Sequence, residues 1–442
     1  MRKAFHGSLL YFKADPNLDS DALVHLPNHV LMTKNGIIEA VKPFAEVTST
    51  EKSEVEWHDY QNQWIVPGFI DTHIHYPQTE MIAAYGEALL EWLEKYTFPT
   101  EMKFDDPNYA KEISSFFLNE LLSNGTTTAL VFGSVHKNSV EAFFEEAEKR
   151  NLRMICGKVM MDRNAPEALQ DTPESSYKES KELIEKWHGK KRLSYAVTPR
   201  FAITSSPEQL QKAGRLLKEF PGIYLHTHLS ENKNEIEFTQ QLFPKAKNYL
   251  DVYKQANLLT KKSVFAHCIH LKDEEWNELA HHQCNIAFCP TSNLFLGSGL
   301  FNLEKAEKMG IDVGMGTDVG AGTSFNMLST LNEAYKVTQL RKGMFSNENK
   351  KSLSPLKAFY LATLGGAKAL SLEDKIGKLE PGMEADFNII HPAVNSLQKL
   401  RMKSANTIEE QLFVLQILGY KENITATYIL GEKYKLPHDF EK

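Results

Sequence analysis

The middle of the chain alternates short apolar runs with charged stretches whose apolar positions recur every three to four residues. That is the pattern of strands followed by amphipathic helices. The runs VPGFIDTHIH, TTTALVFG, RMICGKVM, LSYAVTPR, GIYLHTHL, SVFAHCIH, NIAFCP and VGMGTD predict strands, and stretches such as ELIEKWHGKK and PEQLQKAGRLLKEF predict helices between most of them. Eight such units are the number that closes a (β/α)8, or TIM, barrel around a parallel sheet. The two ends of the chain read differently. GSLLYF and NHVLMTKNGIIEAV, with Asn35-Gly36 as a hairpin turn, predict short strands near the start. Similar material returns in GKLEPGMEADFNII and ATYILGEKYKL. The expected fold class is therefore α/β: a barrel over residues 67–376, with a small β-sandwich-like domain assembled from residues 1–66 and 377–442. Residues 391–425 read as an amphipathic helix beside that small domain. No repeat of 20–50 residues points to a solenoid.

One connection is long for a barrel. Residues 76–124, between the first two barrel strands, include LLEWLEKYTFPTEMKF, and long loops after barrel strands sit at the catalytic face. This segment is a candidate lid. Composition narrows the function classes. With 442 residues, 42% hydrophobic and 24% charged, the chain can bury a large core and needs neither disorder nor disulfides to explain it. Its charge of −7 and its lack of a long basic run argue against nucleic acid as a partner. Cys156, Cys268, Cys284 and Cys289 form no CxxC pair, so neither a disulfide framework nor a zinc knuckle is expected. MRKAFHGSLLYFKAD lacks the apolar stretch of a signal peptide, and no run reaches the length of a membrane span. The expected compartment is the cytoplasm, with no membrane partner.

The polar residues within the apolar strands carry the chemistry. His73 and His75 stand two apart at the end of the first barrel strand, so their imidazoles share a face. His228 ends the fifth strand, His267 the sixth and Asp318 the eighth, all at the end where a barrel builds its active site. A single strand histidine is more often a satisfied core residue than a ligand. Four histidines and an aspartate ending four strands are hard to assemble by accident, and buried without a partner they would be costly. Imidazoles with one carboxylate suit Zn²⁺ or Fe²⁺ better than Mg²⁺ or Ca²⁺.

VPGFIDTHIH, the histidine of LHTHLSE, AHC and GTD resemble the amidohydrolase superfamily. DTHIHYPQ, LLEWLEKYTFPTE, SYAVTPRF, THLSEN, CPTSNLFLGSG and LATLGGAKAL follow in the order seen in its guanine deaminase family, over about residues 64–390. The resemblance implies one zinc per subunit, held by His73, His75, His228 and Asp318, with iron as an alternative. Dinuclear relatives carry a lysine at the end of the fourth strand, where this chain has Thr198-Pro199-Arg200. By the same resemblance Glu231 protonates the ring nitrogen beside the attacked carbon, and Asp318 accepts the attacking water's proton. His267 hydrogen-bonds the attacking oxygen. A homodimer is also implied. Composition alone would make Glu231, in SENKNE, a solvated loop residue or a cap; its place after His228 argues otherwise. His226 is read as a barrel-layer residue, and Cys289 as a small buried hydrophobe.

A purine asks for a flat apolar slot with a few fixed donors and acceptors. Gln78 can pair with a lactam edge, Arg200 carries a donor fork suited to the O6 carbonyl, and Phe201 can stack on a ring. The resemblance places substrate contacts at Gln78, Arg200 and Phe201, with His75, His228, Glu231 and Asp318 closing the site. The expected reaction is guanine plus water giving xanthine plus ammonia. Rival readings are another heterocycle, such as a pterin, 8-oxoguanine or a triazine, and a non-catalytic barrel that serves as a scaffold.

Overall fold

The computed structural model describes residues 2–86, 89–345 and 352–435. In chain order, β1 (Arg2–Phe12), β2 (Leu23–Lys34), β3 (Ile37–Pro43) and β4 (Glu56–Pro67) precede the barrel strands β5 (Phe69–His75), β6 (Thr126–Phe132) and β7 (Arg153–Gly157). A two-residue strand β8 (Val159–Met160) follows, then β9 (Ser194–Pro199), β10 (Tyr224–Leu229), β11 (Ser263–His267), β12 (Asn285–Phe288) and β13 (Val313–Met315). The chain ends with β14 (Phe387–Ile390), β15 (Ile424–Ile429) and β16 (Glu432–Lys433).

The order β5-β6-β7-β9-β10-β11-β12-β13 is parallel throughout, the barrel expected from the alternating pattern. Every residue of β5, β6, β11 and β12 is buried. Strands covered on both faces by barrel interior and outer helices read as continuous apolar runs, which is why the pattern identifies them. RMICGKVM breaks at Lys158 into β7 and β8, and β8 pairs with β9 alone. The helices are started by local chemistry. Asp106, Thr172 and Ser206 each cap a first turn that carries proline, at Pro107, Pro173 and Pro207.

The barrel closes between β13 and β5. Past the end of β13, Asp318 N–H donates to the His73 carbonyl at 2.9 Å and His75 N–H donates to the Val319 carbonyl at 2.8 Å. Thr72 Oγ1 adds a bond to the Met315 carbonyl at 3.0 Å. Gly314 makes this approach possible, since a Cβ there would stand 2.2 Å from Thr72 Cγ2.

The termini build a separate β-unit as expected, in the form of one seven-stranded sheet with the order β16-β15-β14-β4-β1-β2-β3. One face holds Phe5, Leu9, Ile65, Phe387, Ile389 and Tyr428 in a single cluster. The 391–425 segment is two helices rather than one, Ser396–Met402 and Ile408–Leu418. Thr407 and Glu410 cap each other's backbone N–H and so restart the helix. The 76–124 connection is largely helical too. Its last part, Pro107–Ser123, is an ordinary barrel helix. Short helical turns at 76–81 and 89–105 make up most of the rest.

Gly214 lies inside the Pro207–Glu219 helix, where alanine ordinarily gains about 1 kcal/mol. Here a Cβ would stand 1.9 Å from the Ala256 carbonyl oxygen. Gly214→Ala should therefore destabilise the protein by about 1–3 kcal/mol, read as a lower thermal unfolding midpoint. A raised midpoint would contradict this helix packing.

Candidate active site

His73 and His75 share the inward face of β5, and the seam bonds described above bring Asp318 beside them. His73 Nε2 lies 3.1 Å from Asp318 Oδ1, and His75 Nε2 lies 3.3 Å from the same oxygen. His75 Nε2 is also 3.2 Å from both His73 Nε2 and His228 Nε2. His73, His75, His228 and Asp318 thus converge from three strands on one point.

The partner behind His228 fixes its tautomer. His228 Nδ1 stands 2.7 Å from the Arg200 carbonyl, which can only accept, so Nδ1 carries the proton and Nε2 presents a lone pair. His73 Nδ1 stands 2.7 Å from His226 Nε2, the inward contact that leaves His73 Nε2 free for the cluster. Burial holds the His228 and His73 imidazoles below their ordinary pKa and pushes His75 down to about 3, so all three are neutral. Burial opposes charge on Asp318 as well, but the neighbouring histidines outweigh it and keep the carboxyl well below its ordinary range.

A metal fits this set. Lone pairs of neutral imidazoles 3.2 Å apart repel unless a cation lies between them. Donors of a tetrahedral ion with bonds of about 2.0–2.1 Å stand about 3.3–3.4 Å apart, close to the separations seen here. Cys289 belongs to an overlapping donor group with His73, His267 and Asp318. Its thiol donates to the Ala287 carbonyl at 3.5 Å, and burial keeps it protonated.

A second layer orients the first. Asp71 accepts the backbone N–H of His73 and of Thr317, each at 3.1 Å, and so ties the two sides of the seam. Ser292 Oγ donates to Asp318 Oδ2 at 2.5 Å. Asn293 Oδ1 lies 2.8 Å from His267 Nδ1, which leaves His267 Nε2 buried without a protein hydrogen-bond partner. That nitrogen is 3.5 Å from Glu231 Oε2 and 3.7 Å from Asp318 Oδ2. Ser298 Oγ donates to Glu231 Oε1 at 3.1 Å. Burial, reinforced by the charge of Asp318, pushes the Glu231 carboxyl up to about 8. Glu235 holds the loop, accepting the N–H of Glu231 at 2.8 Å and of Asn232 at 3.0 Å. Ser230, His267 and Asp318 all have positive φ, at 50°, 70° and 51°. Such backbone clusters where a site over-determines it.

The donors open into a narrow pocket of about 30 Å³. Leu89, Trp92, Leu93, Phe201 and Leu296 wall it with apolar surface; Gln78, Arg200, Glu231, His267 and Asp318 supply the polar groups. Every site residue singled out from the sequence therefore lies in this pocket or in the donor cluster beneath it. Arg200 differs from expectation in one respect. Its Nη1 is held by Glu101 at 2.8 and 3.0 Å, so only part of its donor fork faces the pocket. Glu101, His226, Ser292, Asn293, Ser298 and Glu235 were not singled out as functional. Ser292 and Asn293 had a usable signal, since CPTSN directly follows a strand at the catalytic end. Glu101 had none, being one acidic residue in a helical stretch rich in them.

Residues 64–433 match the amidohydrolase family. A curated Escherichia coli (strain K12) protein described as guanine deaminase is 54% identical over 417 residues, covering 94% of this chain and 93% of its own length. The solved structure of E. coli guanine deaminase has a TM-score of 0.93 at 51% identity and covers 98% of this chain and 99% of its own. Guanine deaminase from C. acetobutylicum, solved with guanine bound in the active site, has a TM-score of 0.89 at 30% identity and covers 98% of this chain and 100% of its own. With the sequence, the barrel and the donor set in agreement, this chain belongs to the amidohydrolase family, in the group of the guanine deaminases.

Proposed function

We propose that this protein hydrolyses guanine to xanthine and ammonia, with a zinc ion held by His73, His75, His228 and Asp318. The observation that carries the reading is the juxtaposition of that donor set with an apolar-walled pocket containing Gln78, Arg200 and Glu231. The family is metal-dependent, and three imidazoles with one carboxylate are a donor set suited to zinc. Zinc there would act as a Lewis acid, so that the attacking water loses its proton near neutral pH.

The chain's own residues then divide the work. Phe201 and Trp92 line the slot for the ring, and Arg200 turns its free N–H groups to the O6 carbonyl. His267 donates its Nδ1–H to Asn293 Oδ1, so its Nε2 can accept a hydrogen bond from the attacking water and align it. Asp318 Oδ2 takes the proton that the water gives up. Glu231 hands its proton to the ring nitrogen beside the 2-amino carbon and regains one from the C2 hydroxyl as the carbonyl forms, while the proton held by Asp318 passes to the departing amine. The burial of Glu231 favours the protonated form that this donation requires. The amine leaves as ammonia, and the new carbonyl at C2 makes the product xanthine.

The proposal extends to a homodimer in the cytoplasm. Leu340, Met344 and Phe345 leave an exposed apolar patch on the last turns of the Met327–Phe345 helix, which a second copy could cover. All four cysteines are unpaired, in keeping with a reducing compartment. Among the described residues, no helix is long and apolar enough to cross a membrane.

Ammonia release by the zinc-loaded protein tests the function. Guanine should be turned over, and adenine, which has its amine at C6 and lacks both the 2-amino group and the O6 carbonyl, should be slower by about 10⁴-fold or more in kcat/KM. Release from a pterin or a triazine but not from guanine would overturn the substrate and leave the metal chemistry standing. Glu231→Gln should lower kcat by about 10²–10⁴-fold with little change in KM, because it removes proton transfer and keeps the side chain's shape. Arg200→Ala should lower kcat/KM for guanine by about 100-fold or more. A loss of only a fewfold would show that Arg200 does not read O6.

A further inference from the structure

Glu101 is completely buried behind the pocket wall. It accepts Arg200 Nη1 on both oxygens, at 2.8 and 3.0 Å, and Gln78 Nε2 on Oε1 at 3.1 Å. Gln78 and Arg200 line the pocket; Glu101 does not. One carboxylate thus joins the two side chains placed to read the ring.

The contacts leave the Gln78 amide a single orientation. A carboxylate only accepts, so Nε2 must face Glu101. The Gly320 N–H only donates, at 3.2 Å, so Oε1 must face Gly320. The approach is tight, because a Cβ on Gly320 would stand 2.7 Å from the Gln78 carbonyl oxygen. Each end of the amide keeps one unused function, a second N–H on Nε2 and a second lone pair on Oε1. Among the described residues, no acceptor meets Arg200 Nη2 or Nε, so those donors remain for a ligand. The pocket therefore presents one fixed order of donors and acceptors.

Resting on the guanine reading above, we propose that Glu101 is a positioning residue that sets the purine selectivity of the site. It keeps Gln78 unflipped and Arg200 aimed, so that a lactam edge, a carbonyl beside an N–H, is met and an amino edge is refused. Without its charge, the 3.2 Å bond from the Gly320 N–H is what still holds the Gln78 amide, and a turned amide that offers a donor where it had offered an acceptor becomes accessible. Rings of either order are then accommodated.

Hypoxanthine and adenine are the probes. They share the purine ring, differ in the carbonyl or amine at C6, and lack the 2-amino group that reacts. Titration calorimetry on the zinc-loaded enzyme measures both ligands for the wild type, Glu101→Asp and Glu101→Gln, with zinc content and thermal midpoint recorded for each. The wild type should bind hypoxanthine about 100-fold tighter than adenine, and Glu101→Gln should bring that ratio below about 10 with zinc retained. Glu101→Asp keeps the charge on a side chain one methylene shorter and should fall between them. General damage to the pocket would weaken both ligands alike and preserve the ratio. A ratio in Glu101→Gln equal to that of the wild type overturns the inference. If Glu101→Gln does not fold, an unchanged ratio in Glu101→Asp overturns it. Wild-type enzyme that binds neither ring and releases no ammonia from guanine would instead sink the guanine reading, and this inference with it.

Discussion

Three imidazole nitrogens and a carboxylate oxygen, separated by 3.1–3.3 Å and largely withdrawn from solvent, cannot all satisfy one another with hydrogen bonds. His228 already spends its proton on the Arg200 carbonyl, so its lone pair must face the cluster. Burying unpartnered polar groups costs several kcal/mol, and the cost falls on the point where the barrel closes. A cation would resolve the conflict, which would make the proposed metal part of the architecture as well as of the chemistry. This one constraint explains why so many surrounding groups are acceptors or donors of a single fixed sense.

The barrel seam and the site are the same structure. Asp318 N–H and the His73 carbonyl close β13 onto β5, and the side chains of those two residues meet in the proposed metal site. Asp71 bonds both edges of the seam; burial pushes its carboxyl up to about 7, against the hydrogen bonds from Thr317 and His73 that favour its charged form. Around this centre, supports come from the residues just past successive strand ends: Arg200 after β9, Glu235 after β10, and Ser292 and Asn293 after β12. Each holds a donor or proton carrier by an oxygen atom, so small backbone shifts would be felt directly at the chemistry.

The barrel and its donors were legible because their signal is local. A strand buried on both faces is an apolar run, and a histidine or aspartate that ends such a run stands out from it. His73, His75, His228, His267 and Asp318 are all of this kind. What the sequence hid depends on contacts made far apart in the chain. Glu101 meets Arg200 across 99 positions, and nothing around Glu101 distinguishes it from Glu91 or Glu94. The break in the 391–425 helix was hidden for a different reason. Apolar periodicity continues through it, and only the reciprocal Thr407–Glu410 cap marks the restart. The helical character of 76–81 and 89–105 was hidden by its division into turns too short to show a period.

The central claim is that the convergent histidines and Asp318 hold one metal ion per chain. It is tested most directly by stripping the protein with a chelator, dialysing it against zinc, and measuring bound zinc by elemental analysis for the wild type and His228→Ala. The account predicts about one zinc per wild-type chain and a large loss of it in His228→Ala, with the barrel still folded by circular dichroism. Two zinc ions per chain, or none in a folded wild type, would contradict it.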